Sequence, residues 1–80
     1  MAGKKEAERE VTFEIVERIG VISVSPKGWT KELNIVRWND KTPKYDLREW
    51  DAEHEKMGKG ITFTDEEMKA LKELIVGLSL

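Results

Sequence analysis

The chain has 80 residues and no cysteine, so it should form one small domain without disulfide bonds or thiolate metal sites. Charged residues make up 38% of the chain and hydrophobic residues 39%, a composition typical of a folded protein and not of a disordered one. The formal net charge of −2 argues only weakly against nucleic-acid binding, because cations can still be gathered on one surface.

The sequence carries no sign of membrane insertion or secretion. No apolar run approaches the roughly 20 residues that span a bilayer. The N-terminal residues "MAGKKEAERE" lack the apolar core of a signal peptide. We therefore expect a cytoplasmic protein, and no residue pattern indicates a cofactor.

The first predicted strand follows a charged tail, residues 1–10, which we separate from a folded domain at residues 11–80. Residues 11–25 ("VTFEIVERIGVISVS") are rich in β-branched side chains and alternate in part between apolar and polar, which predicts a long strand. Gly20 should mark a bulge or bend, because glycine weakens the interior of a strand.

Three more strands are predicted along the next part of the chain. Residues 29–39 and 44–50 read as strands two and three, bounded by the turn signals "PKG" and "DKTP". A polar loop at residues 51–60 then leads to a short fourth strand at residues 61–63. Because their connections are short, the first three strands should form an antiparallel meander.

The last predicted element is an amphipathic helix that begins near Asp65 and runs toward the C-terminus. Thr64 and Glu67 have the spacing of a capping box, and acidic residues occupy the first turn. Apolar residues then recur at helical spacing, and we expect this stripe to cover one sheet face and to form a dimer interface. The stripe consists of Met68, Leu71, Leu74, Ile75 and Leu78.

The turn between strands two and three suggests a register in which Asn39 pairs with Lys44. Val36 then lies opposite Leu47 in a core layer that also contains Trp38 and Tyr45. The other sheet face is predicted to be open and to combine cations with apolar and aromatic groups. Its candidate binding residues are Lys27, Trp29, Lys31, Leu33, Ile35, Arg37, Lys44, Arg48 and Trp50.

This predicted face has three interpretations from the residues alone. Lysine and arginine can follow the phosphates of a single strand while aromatic groups stack on its bases, which favours sequence-tolerant nucleic-acid binding. The same residues could instead bind a protein partner, or they could form a solvated face that prevents aggregation.

Two motifs resemble a known family. "YDLREW" followed by "MGKGITFT" and an acid-capped helix resembles the positive-cofactor-four class of single-stranded DNA-binding proteins. The longer string "KGWTKELNIVRWNDKTPKYDLREWDAEHEKMGKGIT" resembles its YdbC-like bacterial branch in particular. That family has a strand of the form I-D-I-R-E and a basic loop ending in K-G-I-S-L. The resemblance covers residues from about Phe13 to Leu78.

The resemblance implies an α+β fold, a curved four-stranded antiparallel sheet followed by one C-terminal helix, that dimerises through its helices. It implies that Arg48, Trp50 and Lys59 contact single-stranded DNA and that Lys56 lies in the basic loop. A role in transcription, replication or repair would follow. RNA binding stays open because no residue identifies a 2′-hydroxyl contact. The alternative is a protein-interaction module that uses the open sheet face or edge.

Other candidate sites in the sequence are weaker. His54 is the only histidine and lies in a polar loop, so we expect it to bind no metal. Asp51 and Glu53 lie in the same loop without the pocket that a catalytic pair needs. "GKGIT" lacks the spacing of a phosphate-binding loop. We therefore expect a binding protein and not an enzyme.

Overall fold

The computed structural model describes residues 12–80, so the predicted tail at residues 1–10 lies outside the described residues. One antiparallel sheet contains the strands in chain order, and a helix follows it. The predicted β-β-β-β-α architecture is therefore confirmed, whereas dimerisation remains a prediction. The elements are β1 (Phe13–Val24), β2 (Thr30–Trp38), β3 (Lys44–Trp50), β4 (Met57–Phe63) and α1 (Asp65–Val76).

Strand β1 forms one edge of the sheet and is longer than its neighbour. Its 12 residues pair with the 9 residues of β2 through three register shifts, and one of these lies between Arg18 and Gly20. The bend predicted at Gly20 is thus confirmed, together with two more bulges. Each bulge adds twist and bends the strand, which makes this exposed edge a poor template for another chain.

The register between β2 and β3 differs from the predicted one by three residues. Lys44 lies opposite Val36 and not opposite Asn39. Asn39 bonds to β1 instead: its backbone N–H donates to Thr12 O at 2.8 Å, and its side chain accepts from Thr12 N at 3.0 Å. Asn39 and Asp40 both have positive φ, so the connection to β3 is a wider loop than the predicted turn.

This shift by an odd number of residues changes which side chains share a face, because strand side chains alternate. Trp38 and Val36 share one face with Arg48 and Trp50, which we call the Trp50 face. Lys31, Leu33, Ile35 and Arg37 share the opposite face with Tyr45, Leu47 and Glu49, which we call the Leu47 face. The predicted grouping of Lys31 and Arg37 with Arg48 and Trp50 is therefore wrong.

The core lies on the Trp50 face. Every buried residue in the described part of the chain belongs to this face, and most of these residues are polar or charged. Trp50 packs against Phe13, with ring centroids 5.1 Å apart, and Phe13 also contacts Trp38. The aromatic rings thus close over a polar layer. The buried residues are Glu32, Asn34, Val36, Asp46 and Trp50.

The Leu47 face carries two apolar rows that cross three strands. Leu33, Leu47 and Ile61 are register partners in one row. Ile35, Tyr45 and Phe63 form the second row. Strand β4 begins at Met57, earlier than the predicted start at Ile61, so the polar loop ends at Lys56.

Helix α1 begins with the predicted capping box. Thr64 Oγ1 accepts from Glu67 N at 3.1 Å, and Glu67 Oε1 accepts from Thr64 N at 2.9 Å. Within residues 12–80 the helix contacts β3 and β4, and none of its residues is buried. The expectation that it covers a whole sheet face is wrong, because it lies against two strands only.

Candidate nucleic-acid interface

The predicted binding residues do not form one surface. Lys44, Arg48 and Trp50 lie on the Trp50 face, and Lys31 and Arg37 lie on the Leu47 face with Leu33 and Ile35. Because no sheet face contains both groups, the binding roles predicted for these residues must be weighed one at a time.

Trp50 lies in the core. Its side chain is fully buried between Phe13 and the ring of His54, which stacks on it at 5.6 Å. A base cannot stack on this indole while Phe13 and His54 cover it. The expectation that Trp50 is an open stacking platform is therefore wrong for this structure. The observed β2–β3 register places Trp50 on the face that forms the core.

Arg48 is held by the protein itself. Its Nε and Nη2 atoms donate to the two carboxylate oxygens of buried Asp46 at 2.7 and 2.8 Å, and Nη1 donates to Gly58 O at 3.3 Å. The guanidinium also lies 4.7 Å from the centre of the Trp38 ring. These contacts use most of its donors, so in this structure Arg48 joins β3, β4 and the aromatic core.

Three lysines, one glutamate and one tryptophan line adjoining clefts at one end of the sheet, and we call this group of residues the basic cleft. The basic cleft consists of Lys27, Trp29, Lys31, Glu49 and Lys59. One open cleft of about 390 Å³ is lined by Lys31, Glu49 and Lys59, together with Leu47 and Ile61. A second cleft of about 410 Å³ is lined by Lys27, Trp29 and Glu49. Glu49 is common to both, so the two clefts adjoin.

The turn before β2 fixes Lys27 and Trp29 at this end. Ser25 O accepts from Gly28 N at 2.9 Å, and Ser25 Oγ accepts from Trp29 N at 3.2 Å. Ser25 N in turn donates to Trp29 O at 2.7 Å. Gly28 has a φ of 89°, a value that glycine adopts without strain. Three hydrogen bonds and a glycine thus define the turn that carries Trp29.

The β3–β4 loop, which contains Lys56, lies at the same end of the sheet. Asp51 Oδ1 accepts from Glu55 N at 2.8 Å and from Lys56 N at 3.0 Å. The bond from the Lys56 backbone, with that from Glu55, lowers the pKa of Asp51 despite partial desolvation. Lys56 is thus carried on a compact loop in which Glu53 and Glu55 are exposed and Asp51 is half-buried.

His54 ties this loop to the sheet. Its Nε2 atom lies 2.9 Å from Oε2 of buried Glu32, which also accepts hydrogen bonds from Thr30 and Asn34. Burial raises the pKa of Glu32, but the bonds from Asn34, Thr30 and His54 outweigh it, so the pKa lies below its ordinary value. The position of His54 in a polar loop, 22 residues from Glu32 in the sequence, gave no sign of this role.

Electrostatically, the lysines of the basic cleft are available to a ligand. In residues 12–80, no carboxylate oxygen lies within 4.0 Å of the ammonium nitrogen of Lys27, Lys31 or Lys59. Arg37, at the other end of the Leu47 face, bonds to Glu14 at 2.7 Å. Lys44 is exposed at that end on the Trp50 face. Both cations are thus separated from the basic cleft.

The predicted dimer residues fall into two groups. Met68 and Leu71 are half-buried, and Leu71 lines a cavity with Ile61 and Phe63. Leu74, Ile75 and Leu78 are exposed. The stripe therefore continues from the Leu47 face to an uncovered surface of the helix.

Within the described part of the chain, no group of three or more metal-ligating side chains is placed to hold an ion. The same residues include no helix of the length and hydropathy that crossing a membrane requires.

A four-stranded antiparallel sheet followed by one helix, with lysines and a tryptophan lining adjoining clefts at one end, is the arrangement of a small domain suited to nucleic acid. The chain belongs to the family described as "Transcriptional Coactivator p15 (PC4)", whose profile matches residues 25–74. This membership confirms the family resemblance and indicates a nucleic-acid-binding, transcription-related protein. The chain is also 41% identical over 68 residues to an uncharacterized protein of Treponema pallidum (strain Nichols), covering 85% of this chain and 80% of that relative.

Proposed function

We propose that this protein binds single-stranded DNA at the basic cleft with little sequence preference, in support of transcription, replication or repair. The observation that carries the proposal is that Lys27 and half-buried Trp29 line one cleft, while Lys31 and Lys59 line the cleft that adjoins it at Glu49. Cations near an accessible aromatic ring are what a flexible strand requires, since its phosphates and its bases are both exposed.

Binding at this site needs no chemical step. Lys31 and Lys59 approach the strand from neighbouring edges of one cleft, and Lys27 approaches from the adjoining turn. Lys56, on the β3–β4 loop at the same end, can extend the phosphate path. The indole of Trp29 accepts an unstacked base. A duplex hides its base faces, so single strands should bind more tightly.

Replacing Trp29 tests this proposal. Trp29→Ala should weaken binding to a thymidine oligonucleotide by about 1–3 kcal/mol, because one base loses its stacking partner. Trp29→Phe is the matched control, since it retains a ring and should retain most of the affinity. Fluorescence anisotropy of a labelled oligonucleotide measures both variants, with the corresponding duplex as the competitor. Equal binding by Trp29→Ala and the wild type would exclude stacking on Trp29.

The salt dependence of the same titration separates this function from protein binding. The affinity should fall as salt rises, with a log–log slope near −0.7 for each phosphate contacted. A flat response, or no binding to any oligonucleotide, would instead favour a protein-interaction module.

We also propose that two copies of the chain associate through the apolar stripe of α1. The exposed Leu74, Ile75 and Leu78 continue the apolar rows of the Leu47 face, since Leu71, Leu74, Ile61 and Phe63 line one cavity. A second copy carries the same surface, so a twofold axis would let each stripe cover the other. Association would also stabilise a small domain whose own helix buries no residue.

Replacing Leu74 tests the dimer. Leu74→Glu should shift the mass measured by sedimentation equilibrium from that of two chains to that of one, because it places a carboxylate in an apolar interface. Lys72→Gln changes the charge by the same amount at another exposed position of α1 and should leave the mass unchanged. A wild-type mass of one chain at all concentrations would exclude the proposed dimer.

A further inference from the structure

Glu49 is an acidic side chain set among the cations of the basic cleft. It lies opposite Lys31 in the β2–β3 register, and its Cβ would be 3.8 Å from a Cβ placed on Gly58 of β4. It is half-buried and lines both adjoining clefts, one with Lys31 and Lys59 and the other with Lys27 and Trp29. Among residues 12–80, no other residue is common to both.

Within the described part of the chain, the Glu49 carboxylate has no hydrogen-bond or ion-pair partner. In residues 12–80, it accepts no hydrogen bond from another side chain, and no Lys, Arg or His nitrogen lies within 4.0 Å of it. It therefore differs from the other carboxylates that point from β2 and β3: Glu32 and Asp46 each accept at least two hydrogen bonds.

A carboxylate in this position cannot assist phosphate binding, because it would repel the phosphate that the lysines attract. It can accept hydrogen bonds from the edge of a base, and it can accept two parallel bonds at once. Guanine presents two adjacent donors on its Watson–Crick edge, N1–H and the exocyclic N2 amino group. Adenine and cytosine present one amino group there, and thymine presents one N–H between two carbonyl oxygens that a carboxylate repels.

We propose that Glu49 reads a base in the basic cleft and gives the protein a preference for guanine. This inference rests on the proposed binding of single strands at the same cleft. The lysines take the phosphates on either side, Trp29 supports the plane of a base, and the Glu49 carboxylate accepts from N1–H and N2–H of guanine. Binding remains possible for other bases, since stacking and phosphate contacts do not depend on sequence.

The test compares two oligonucleotides that differ by one amino group. Repeats of thymidine-thymidine-deoxyguanosine are compared with the same repeats containing deoxyinosine, whose base lacks the N2 amino group. The wild type should bind the guanine oligonucleotide about fivefold more tightly, or more, the lower range for a lost bidentate base contact. Glu49→Gln should bring the ratio of the two affinities close to one. An amide has only one acceptor oxygen, and its amino group faces the donors of guanine.

Two further variants separate base reading from a change in net charge. Glu53→Gln removes an exposed acid from the β3–β4 loop, so it should raise the affinity for both oligonucleotides equally and preserve their ratio. Glu49→Asp keeps the charge but shortens the side chain, so it should reduce the ratio without the general gain in affinity.

The outcomes distinguish this inference from the function on which it rests. If the wild type binds both oligonucleotides equally, or if Glu49→Gln keeps the wild-type ratio, the guanine preference is wrong while single-strand binding stands. If the wild type binds neither oligonucleotide, both proposals are wrong.

Discussion

The two faces of the sheet each contain an arginine bonded to a carboxylate at 2.7 Å, but the surroundings of the two pairs differ. On the Trp50 face, the side chains of Arg48 and Asp46 are 14% and 0% exposed. At the Leu47 face, those of Arg37 and Glu14 are 37% and 66% exposed. Equal contact distances therefore do not imply equal roles. Burial makes the first pair part of the core, whereas water competes with the second.

Trp50 and Trp29 differ in burial in the same way. Trp50 is fully buried beside Phe13 and His54, and Trp29 is half-buried at the edge of an open cleft. A sequence search for cations beside aromatic rings selects both residues. Only the register shows that one stabilises the fold and the other is accessible to a ligand.

The largest expected effect breaks the buried ion pair. Arg48→Met should lower the free energy of unfolding by about 3–5 kcal/mol, because it leaves the Asp46 carboxylate buried without a cation. It also removes the contact between the guanidinium and Trp38. Urea denaturation followed by circular dichroism measures the loss. A variant that is already unfolded without urea would agree with the prediction.

Arg37→Met is the matched control, since it makes the same substitution in the exposed pair. It should change the free energy of unfolding by about 0–1 kcal/mol. Equal losses for the two variants would contradict the difference that burial is expected to make between the faces.

Two glycines of β4 provide a second, smaller comparison. A Cβ on Gly60 would lie 2.3 Å from Arg48 Cβ and 2.6 Å from Leu47 O, so Gly60→Ala must displace β3. Among the described residues, a Cβ on Gly58 would meet only Glu49 Cβ, at an ordinary 3.8 Å. We expect Gly60→Ala to lower the free energy of unfolding by about 1–3 kcal/mol. Gly58→Ala should change it by less than about 1 kcal/mol.

Thermal unfolding of the two alanine variants measures this difference. It also tests the β3–β4 register, because the close approach at Gly60 depends on its pairing with Arg48. If Gly58→Ala were the more destabilising variant, the β3–β4 register, which pairs Leu47 with Ile61 and Arg48 with Gly60, would be wrong.

The elements of this fold could be predicted from local sequence. β-Branched residues indicated β1, turn signals bounded β2 and β3, and the Thr64–Glu67 spacing located the start of α1. The register was predicted wrongly, because Asn39, which the turn signal placed opposite Lys44, bonds instead to Thr12, 27 residues away. The observed pairing of β2 with β3 differs from the expected one by three positions, which reverses the expected faces.

The candidate site could be predicted only in part, because some of its residues depend on the β2–β3 register. Lys27, Trp29 and Lys31 are neighbours in sequence, so their grouping needed no register. Adding Glu49 and removing Trp50 both required the correct β2–β3 pairing. The signal that could have located Glu49 is its place next to Trp50 in an alternating strand, since only one of the two can point into the core.

The smallest expected effect concerns the carboxylate of Glu32, on the Trp50 face of β2. Glu32 is buried and accepts bonds from Asn34, Thr30 and His54, which hold its pKa below the ordinary value. A carboxylate whose pKa is lower in the folded state stabilises that state at neutral pH, and the contribution is lost as the pH falls through the folded pKa. Removing Glu32 should therefore matter most at neutral pH.

We expect Glu32→Gln to be less stable than the wild type at pH 7, with the difference shrinking as the pH falls below the ordinary glutamate pKa of about 4.3. Urea denaturation across this range measures it. His54→Asn removes one donor to Glu32 and also the ring stacked on Trp50, but it leaves the Thr30 and Asn34 bonds to Glu32 in place. Asparagine tolerates the positive φ of 57° at that position, so the part of its effect that changes with pH should be smaller. A difference between Glu32→Gln and the wild type that stays constant with pH would show that the hydrogen bonds to Glu32 do not depend on its charge.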